Sequence, residues 1–156
     1  MAENDEKWMD RALELARASE ASGNTPVASV VVRDGVMLGE GPNYARTQKN
    51  PILHAEIVAI QAACKTTDSM TLPGVTLYTT MEPCPMCAWG IHAAGIKRVV
   101  LGARHADLKR TDLGSYSYES FMTGMMQQAT ELVTGVRNAE CVALRKAWTA
   151  KSGRFA

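Results

Sequence analysis

The stretch MEPCPMC, residues 81–87, sets Cys84 and Cys87 three positions apart, with Pro83 and Pro85 around the first of them. Such a pair can form a disulfide, fill an apolar core, or grip a metal. Upstream, His54-Ala55-Glu56 places an imidazole two residues from a carboxylate. Thiolate sulfur and imidazole nitrogen are donors that suit zinc. Both pieces open expected helices, and a helix N-terminus stabilises anions and lowers a cysteine pKa. Cys84 and Cys87 therefore stand where they ionise readily. Pro85 fits the first turn of its helix, which has no use for the missing N–H.

The ligand count separates two kinds of zinc site. A structural site closes with four protein ligands, whereas a catalytic one keeps a corner open for water. No second Cys-x2-Cys partners Cys84 and Cys87. His92 falls within the following helix and His105 in a loop, so His54 is the best third ligand, with no obvious fourth. Zinc lowers the pKa of water to roughly 7, and Glu56 is a carboxylate placed to take its proton. Residues i and i+2 of a mid-helix do not share a face, so this reading requires His54 at the very start of its helix. Bland readings exist for each piece alone: an inert cysteine pair, a hydrogen-bonded core histidine, a solvated glutamate. Their joint occurrence weighs against coincidence. The other two cysteines, Cys64 and Cys141, sit in apolar helical patterns and read as core.

The elements that must carry these groups alternate. Residues 5–21 are amphipathic, with Trp8, Ala12, Leu15, Ala16 and Ser19 at helical spacing, and Gly23-Asn24 ends them. Val27 to Val32, the Asp34-Gly35 turn and Val36 to Leu38 read as a β-hairpin. A helix is predicted over 54–65, a strand over 75–80, a helix from Cys84 to Gly95 and a strand over 97–103. Residues 104–118 read as a long polar loop, 119–128 as a short helix, 131–136 as a last strand and 138–148 as a last helix. Alternating strands and helices predict an α/β fold with one mixed sheet between helical layers: antiparallel in the hairpin, parallel in the second half.

A chain of 156 residues suits a single domain, here 1–156, and 46% hydrophobic with 21% charged residues is an ordinary globular balance. The net charge of +1 provides no global basic field for nucleic acid, though a local patch stays open. The charged N-terminus is followed by no apolar h-region, and no apolar run reaches transmembrane length. The expectation is a cytoplasmic protein with no membrane partner, in which Cys84 and Cys87 are not disulfide-bonded.

His-x-Glu followed by Pro-Cys-x2-Cys is the signature of zinc deaminases. With HAE at 54–56, TLYTTMEPCPMC at 76–87 and GIKRVVLGA at 95–103, the chain resembles the cytidine deaminase-like superfamily from its first helix to about Trp148. Within it, the chain is similar to bacterial guanine deaminases, fungal-type cytosine deaminases and tRNA adenosine deaminases. The resemblance implies a three-layer α/β/α sandwich around a five-stranded mixed sheet, one zinc ion per chain and a homodimer or larger oligomer. It implies that His54, Cys84 and Cys87 hold zinc. It makes Glu56 the catalytic proton carrier and Asn43, in GEGPN, the residue that binds the substrate base.

The substrate is less sharply written. PVASVVVRDG, GPN, GARHAD and TGVRNAECVAL read most like the tRNA adenosine deaminases, yet the C-terminal RKAWTAKSGR carries few basic residues for RNA. Trp89 replaces a small glycine of all three groups, and either narrows the pocket or packs in core or interface. Ala93 stands where guanine deaminases carry an aromatic, which argues against guanine. Tyr116, Tyr118 and Phe121 either stack on a flat base or cover the core, and Met122, Met125 and Met126 read as packing. The favoured expectation is deamination of a small base, nucleoside or related heterocycle. The alternatives are wobble-adenosine deamination in tRNA, with nucleic acid not favoured as a partner, and a non-catalytic zinc protein.

Overall fold

In the strands, odd and even residues face different layers, and that alternation builds the molecule. Described here from a computed structural model covering residues 2–154, the chain runs α1 (Ala2–Ala21), β1 (Ala28–Arg33), β2 (Val36–Pro42), α2 (Ala55–Thr67), β3 (Thr76–Met81), α3 (Pro85–Ala93), β4 (Arg98–Ala103), β5 (Glu131–Val133) and α4 (Asn138–Ser152). Positions 1, 155 and 156 of the expected domain lie outside the described residues. The sheet order is β2-β1-β3-β4-β5. β1 is antiparallel to β2 and β3, while β3, β4 and β5 are parallel, so the sheet is mixed as expected.

Val31, Leu77, Val99 and Leu101 point to one face and pack with Ala59 and Ala63 of α2 and Ala88 and Ile91 of α3. Val30, Val32, Tyr78 and Val100 point to the other and pack with Met9, Ala12 and Leu13 of α1 and Cys141 of α4. Strands covered on both faces read as continuous apolar runs, which is why the period-two pattern is silent in the sequence. The result is the three-layer α/β/α sandwich.

Several boundaries differ from the sequence reading. The buried face of α1 centres on Met9, Ala12, Leu13 and Ala16, and Trp8 and Leu15 sit at its margins. β2 extends to Pro42 because the backbone of its Gly-Glu-Gly segment continues to pair with β1. The predicted helix over 119–128 is a π-helical turn, Ser120–Met125, and the polar loop contains a 3-10 turn, Ala106–Leu108. β5 pairs only over three residues and ends before Gly135, whose φ of +88° suits glycine.

The glycines of β2 fix where α2 lies. A Cβ on Gly39 would stand 2.5 Å from the carbonyl oxygen of Ala59 and the nitrogen of Ala63, and one on Gly41 would overlap the carbonyl of Ala55 and the nitrogen of Ala59. Ala55, Ala59 and Ala63, four apart, form the facing stripe, so helix and strand meet backbone to backbone. At the other face, Asp5 ties α1 to the sheet: it accepts from Tyr78 Oη at 2.9 Å and from both terminal nitrogens of Arg98 at 3.0 and 2.9 Å. Burial alone would raise the Asp5 pKa, but these bonds outweigh it and hold the carboxyl below its ordinary range.

Gly41→Ala is expected to destabilise the fold by about 1–3 kcal/mol, because the clash is with backbone. Gly124→Ala, which meets open space, should change little; paired thermal melts read the difference. A carboxyl whose folded pKa is depressed contributes stability above its unfolded pKa and loses it as pH falls through the folded one. Asp5→Asn should therefore be less stable than the native protein near neutrality and show a shallower stability loss on acidification below about pH 4, measured by denaturant titration across pH.

Candidate metal centre and active-site cleft

Two loops deliver the donors to one point. His54 is the N-cap of α2 in extended conformation, with its carbonyl accepting from Val58 N at 3.0 Å. Cys84 is the N-cap of α3, also extended, with its carbonyl accepting from Ala88 N at 2.8 Å, and Pro85 opens the helix. The requirement that His54 stand at the very start of its helix is thus met. His54 Nδ1 lies 3.5 Å from Cys84 Sγ and 3.7 Å from Cys87 Sγ. Tetrahedral zinc with ordinary Zn–N and Zn–S bonds separates nitrogen and sulfur by about 3.6 Å. The three donor atoms lie within 4.8 Å of one another, so this donor set fits a zinc ion. His92 instead meets Trp89 in a tilted ring contact, with centroids 5.3 Å apart, and the Nε2 of buried His105 lies 3.4 Å from the Pro83 carbonyl.

Without an ion the electrostatics favour a thiolate at Cys84 and a thiol at Cys87, so the expectation that both ionise readily holds for the first alone. Cys84 is held at about 4, first because Cys87 donates a hydrogen bond to it and then because His54 stabilises the anion against the opposing effect of burial. The same bond, with burial, holds Cys87 far above the ordinary thiol range. His54 is raised, led by its hydrogen bond to Cys84. Glu56, 3% exposed, is pushed up to about 7 by burial, with the negative charge of Cys84 adding to the effect. The helix places Glu56 beside the donors.

A cleft of about 270 Å³ opens over this point and is lined by His54, Glu56 and Cys84 together with Asn43. Asn43 is buried; its Oδ1 accepts from Ala45 N at 3.0 Å and its carbonyl from Ser19 Oγ at 2.8 Å, which fixes the carboxamide at the cleft wall. All five residues singled out in the sequence therefore meet in one place.

The loop over α3 is braced on Glu82, just before the cysteines. Its carboxylate accepts from Arg104 Nε at 3.1 Å, His105 N at 2.8 Å and Tyr118 N at 2.9 Å. Burial would raise its pKa, but these donors win and keep it ionised. Tyr116 donates to the Pro83 carbonyl at 2.6 Å, Tyr118 and Met122 are core, and Phe121 packs against them. The core-covering reading of this loop holds; Met125, 74% exposed, is an exception to the packing reading. Trp89 is 54% exposed and does not line this cleft, so within one chain it does not narrow it.

Sequence reading missed the four arginines of the cleft wall: Arg46, Arg110, Arg145 and Arg154. For Arg145 a signal existed. Cys141, Arg145 and Trp148, at i, i+4 and i+7, are the buried face of α4, so the arginine stands at a core position.

Two helix N-termini that present a histidine and two cysteines beside a buried glutamate, over a mixed sheet, define the class of zinc-dependent deaminases. The chain belongs to the family described as the cytidine and deoxycytidylate deaminase zinc-binding region, which it matches over residues 2–103. It is 42% identical over 141 residues to the tRNA-specific adenosine deaminase of Haemophilus influenzae, covering 90% of this chain and 80% of that one. It is 40% identical over 105 residues to the guanine deaminase of Bacillus subtilis, 67% of each chain. The solved guanine deaminase of Nitrosomonas europaea superposes with a TM-score of 0.83 at 28% identity, over 93% of this chain and 84% of that one. No helix among the described residues is long and apolar enough to cross a membrane.

Cys87→Ala removes one of three donors. It is expected to lose zinc, measured by elemental analysis, and to melt well below the native protein, since metal binding and folding are coupled.

Proposed function

We propose that the chain is a zinc-dependent hydrolytic deaminase of adenosine at the wobble position of tRNA. The observation that carries the substrate is the 42% identity to a tRNA-specific adenosine deaminase across 90% of this chain. The preference for a small heterocycle drawn from the sequence gives way to its alternative. His54, Cys84 and Cys87 are the zinc ligands, Glu56 is the catalytic acid and base, and Asn43 binds the base.

Zinc supplies a Lewis acid that brings the pKa of water to roughly 7. Glu56, shielded from bulk solvent, takes a proton from the attacking water and delivers it to the ring nitrogen. The water oxygen bonds to the ring carbon that bears the exocyclic amine. A second proton transfer through Glu56 reaches that amine, the C–N bond breaks, and ammonia leaves behind a carbonyl. Asn43, its Oδ1 already engaged by Ala45, offers its amide N–H groups to acceptors on the ring and so sets which carbon faces the attack.

A second reading, deamination of a free purine base, is favoured by the likeness to guanine deaminases and by a cleft at the small end of ligand cavities. Ammonia release separates the two. The panel is wobble-adenosine tRNA against cytosine, guanine, adenine, their nucleosides, pterins and triazines. Turnover of tRNA alone supports the first reading, turnover of a free base the second, and tight zinc with no turnover a non-catalytic protein. Glu56→Ala is expected to keep its zinc and lose about 10²–10⁴-fold in rate; a variant that retains native turnover removes Glu56 from its role.

A further inference from the structure

A hydroxyl in the cleft wall stands without a partner among the described residues. Thr25 is 4% exposed and lines the cavity that holds Asn43, His54 and Glu56. Buried hydroxyls in the neighbouring strands are used or shut away. Those of Tyr78, Thr79 and Thr80 bond within the chain, and that of Ser29 is enclosed in the sheet. The Thr25 hydroxyl makes no hydrogen bond among the described residues and is not enclosed, so it opens onto the cavity. Leaving a buried polar group unmet is costly. The backbone behind it is tied down. The Thr25 carbonyl accepts from Val27 N at 2.8 Å, and Asn43 N donates to the Val27 carbonyl at 3.0 Å. Ser19 Oγ, near the end of α1, shares its hydrogen between the carbonyls of Thr25, at 3.2 Å, and Asn43, at 2.8 Å. Thr25 and Asn43 are thus held in one fixed relation on the same wall, and groups fixed in advance lose little freedom on binding.

Besides N1, which takes its proton from Glu56, adenine presents two ring acceptors, N3 and N7. The amide of Asn43 serves one of them. Val27 and Met81, on the same wall, offer side chains with no hydrogen to donate. A threonine hydroxyl donates one hydrogen and turns to suit its acceptor. We propose that Thr25 donates its hydroxyl to the second ring nitrogen, so that it is a specificity-determining residue which reads the base together with Asn43. The inference rests on the deaminase reading above and adds a contact which that reading does not include. Thr25 meets the substrate away from the reacting carbon, so it orients the ring and moves no proton.

The test is a cycle of residue and substrate on the zinc-loaded protein. An RNA hairpin presents adenosine, 3-deazaadenosine or 7-deazaadenosine at the wobble position, and kcat/KM is measured for the native protein, Thr25→Val and Thr25→Ser. Each analogue replaces one ring nitrogen by C–H, and its altered reactivity cancels in the ratio between proteins. One of the two analogues is expected to lose about three- to ten-fold more with the native protein than with Thr25→Val. The other should lose equally with both, and Thr25→Ser should behave as native. General damage lowers all rates together, so the ratio reads the contact and not the fold. Thr25→Ala is the second variant and must show the same coupling if Thr25→Val does not fold. Equal losses in native and variant for both analogues overturn the proposal. So does a coupling that appears only with 2′-deoxyadenosine, which would put the hydroxyl on the sugar. If only a free purine turns over, the wobble reading fails, and the contact is tested with the 3-deaza and 7-deaza forms of that purine. If nothing releases ammonia, the deaminase reading fails, and calorimetric titration with the same hairpins decides the contact. The same coupling in Kd supports it, and its absence, or no binding at all, overturns it.

Discussion

Three soft donors on two different helices must come within bonding distance of one ion, and that convergence constrains almost everything else. Helix ends are well suited to the task. A residue at the N-cap has extended backbone, so its side chain turns back over the end of the helix while the helix itself serves as a rigid mount. His54 and Cys84 both occupy that position. The distances between their donor atoms are then set by how α2 and α3 lie on the sheet. For α2 the answer is backbone contact with β2: Gly39 and Gly41 contribute no side chain between strand and helix, and the alanine stripe contributes nothing larger than a methyl group. A few tenths of an ångström there would be transmitted to the imidazole.

The cysteine end is secured differently. Glu82 sits between the last residue of β3 and the Pro-Cys turn, and it gathers two backbone N–H groups and an arginine from the 104–118 loop. Carboxylates with several donors stay charged even when buried. The loop thus closes over the turn that carries Cys84, and Tyr116 adds a hydroxyl to the carbonyl of Pro83. Of the aromatic residues there, Tyr116 holds this turn through its hydroxyl, while Tyr118 and Phe121 pack into the core.

The sequence made the donors legible because few roles ask for a histidine, a glutamate and two cysteines at such spacing, and because the proline and helix-start context fixed their direction. The sheet was legible from Val27–Val32 and the Asp34-Gly35 turn. The extent of β2 was not, since glycine contributes no strand signal even where the backbone pairs. Of the predicted face of α1, Ala12, Ala16 and Ser19 are buried, whereas Trp8 and Leu15 lie at its margin and Met9 and Leu13 carry the contact with the sheet. The π-helical turn left no pattern of period 3.6 to read. Arg145 went unnoticed because arginine in a helix ordinarily means solvent; only its register with Cys141 and Trp148 says otherwise.

The family match stops at residue 103, while Arg110, Trp148 and Arg145 all lie beyond it. The metal donors and part of the cleft wall are therefore carried by separate stretches of chain, with Gly102 lying under Cys141. The turn that carries two of the donors is nevertheless braced from beyond residue 103, so the last third of the chain is not free to vary without loosening the cysteines.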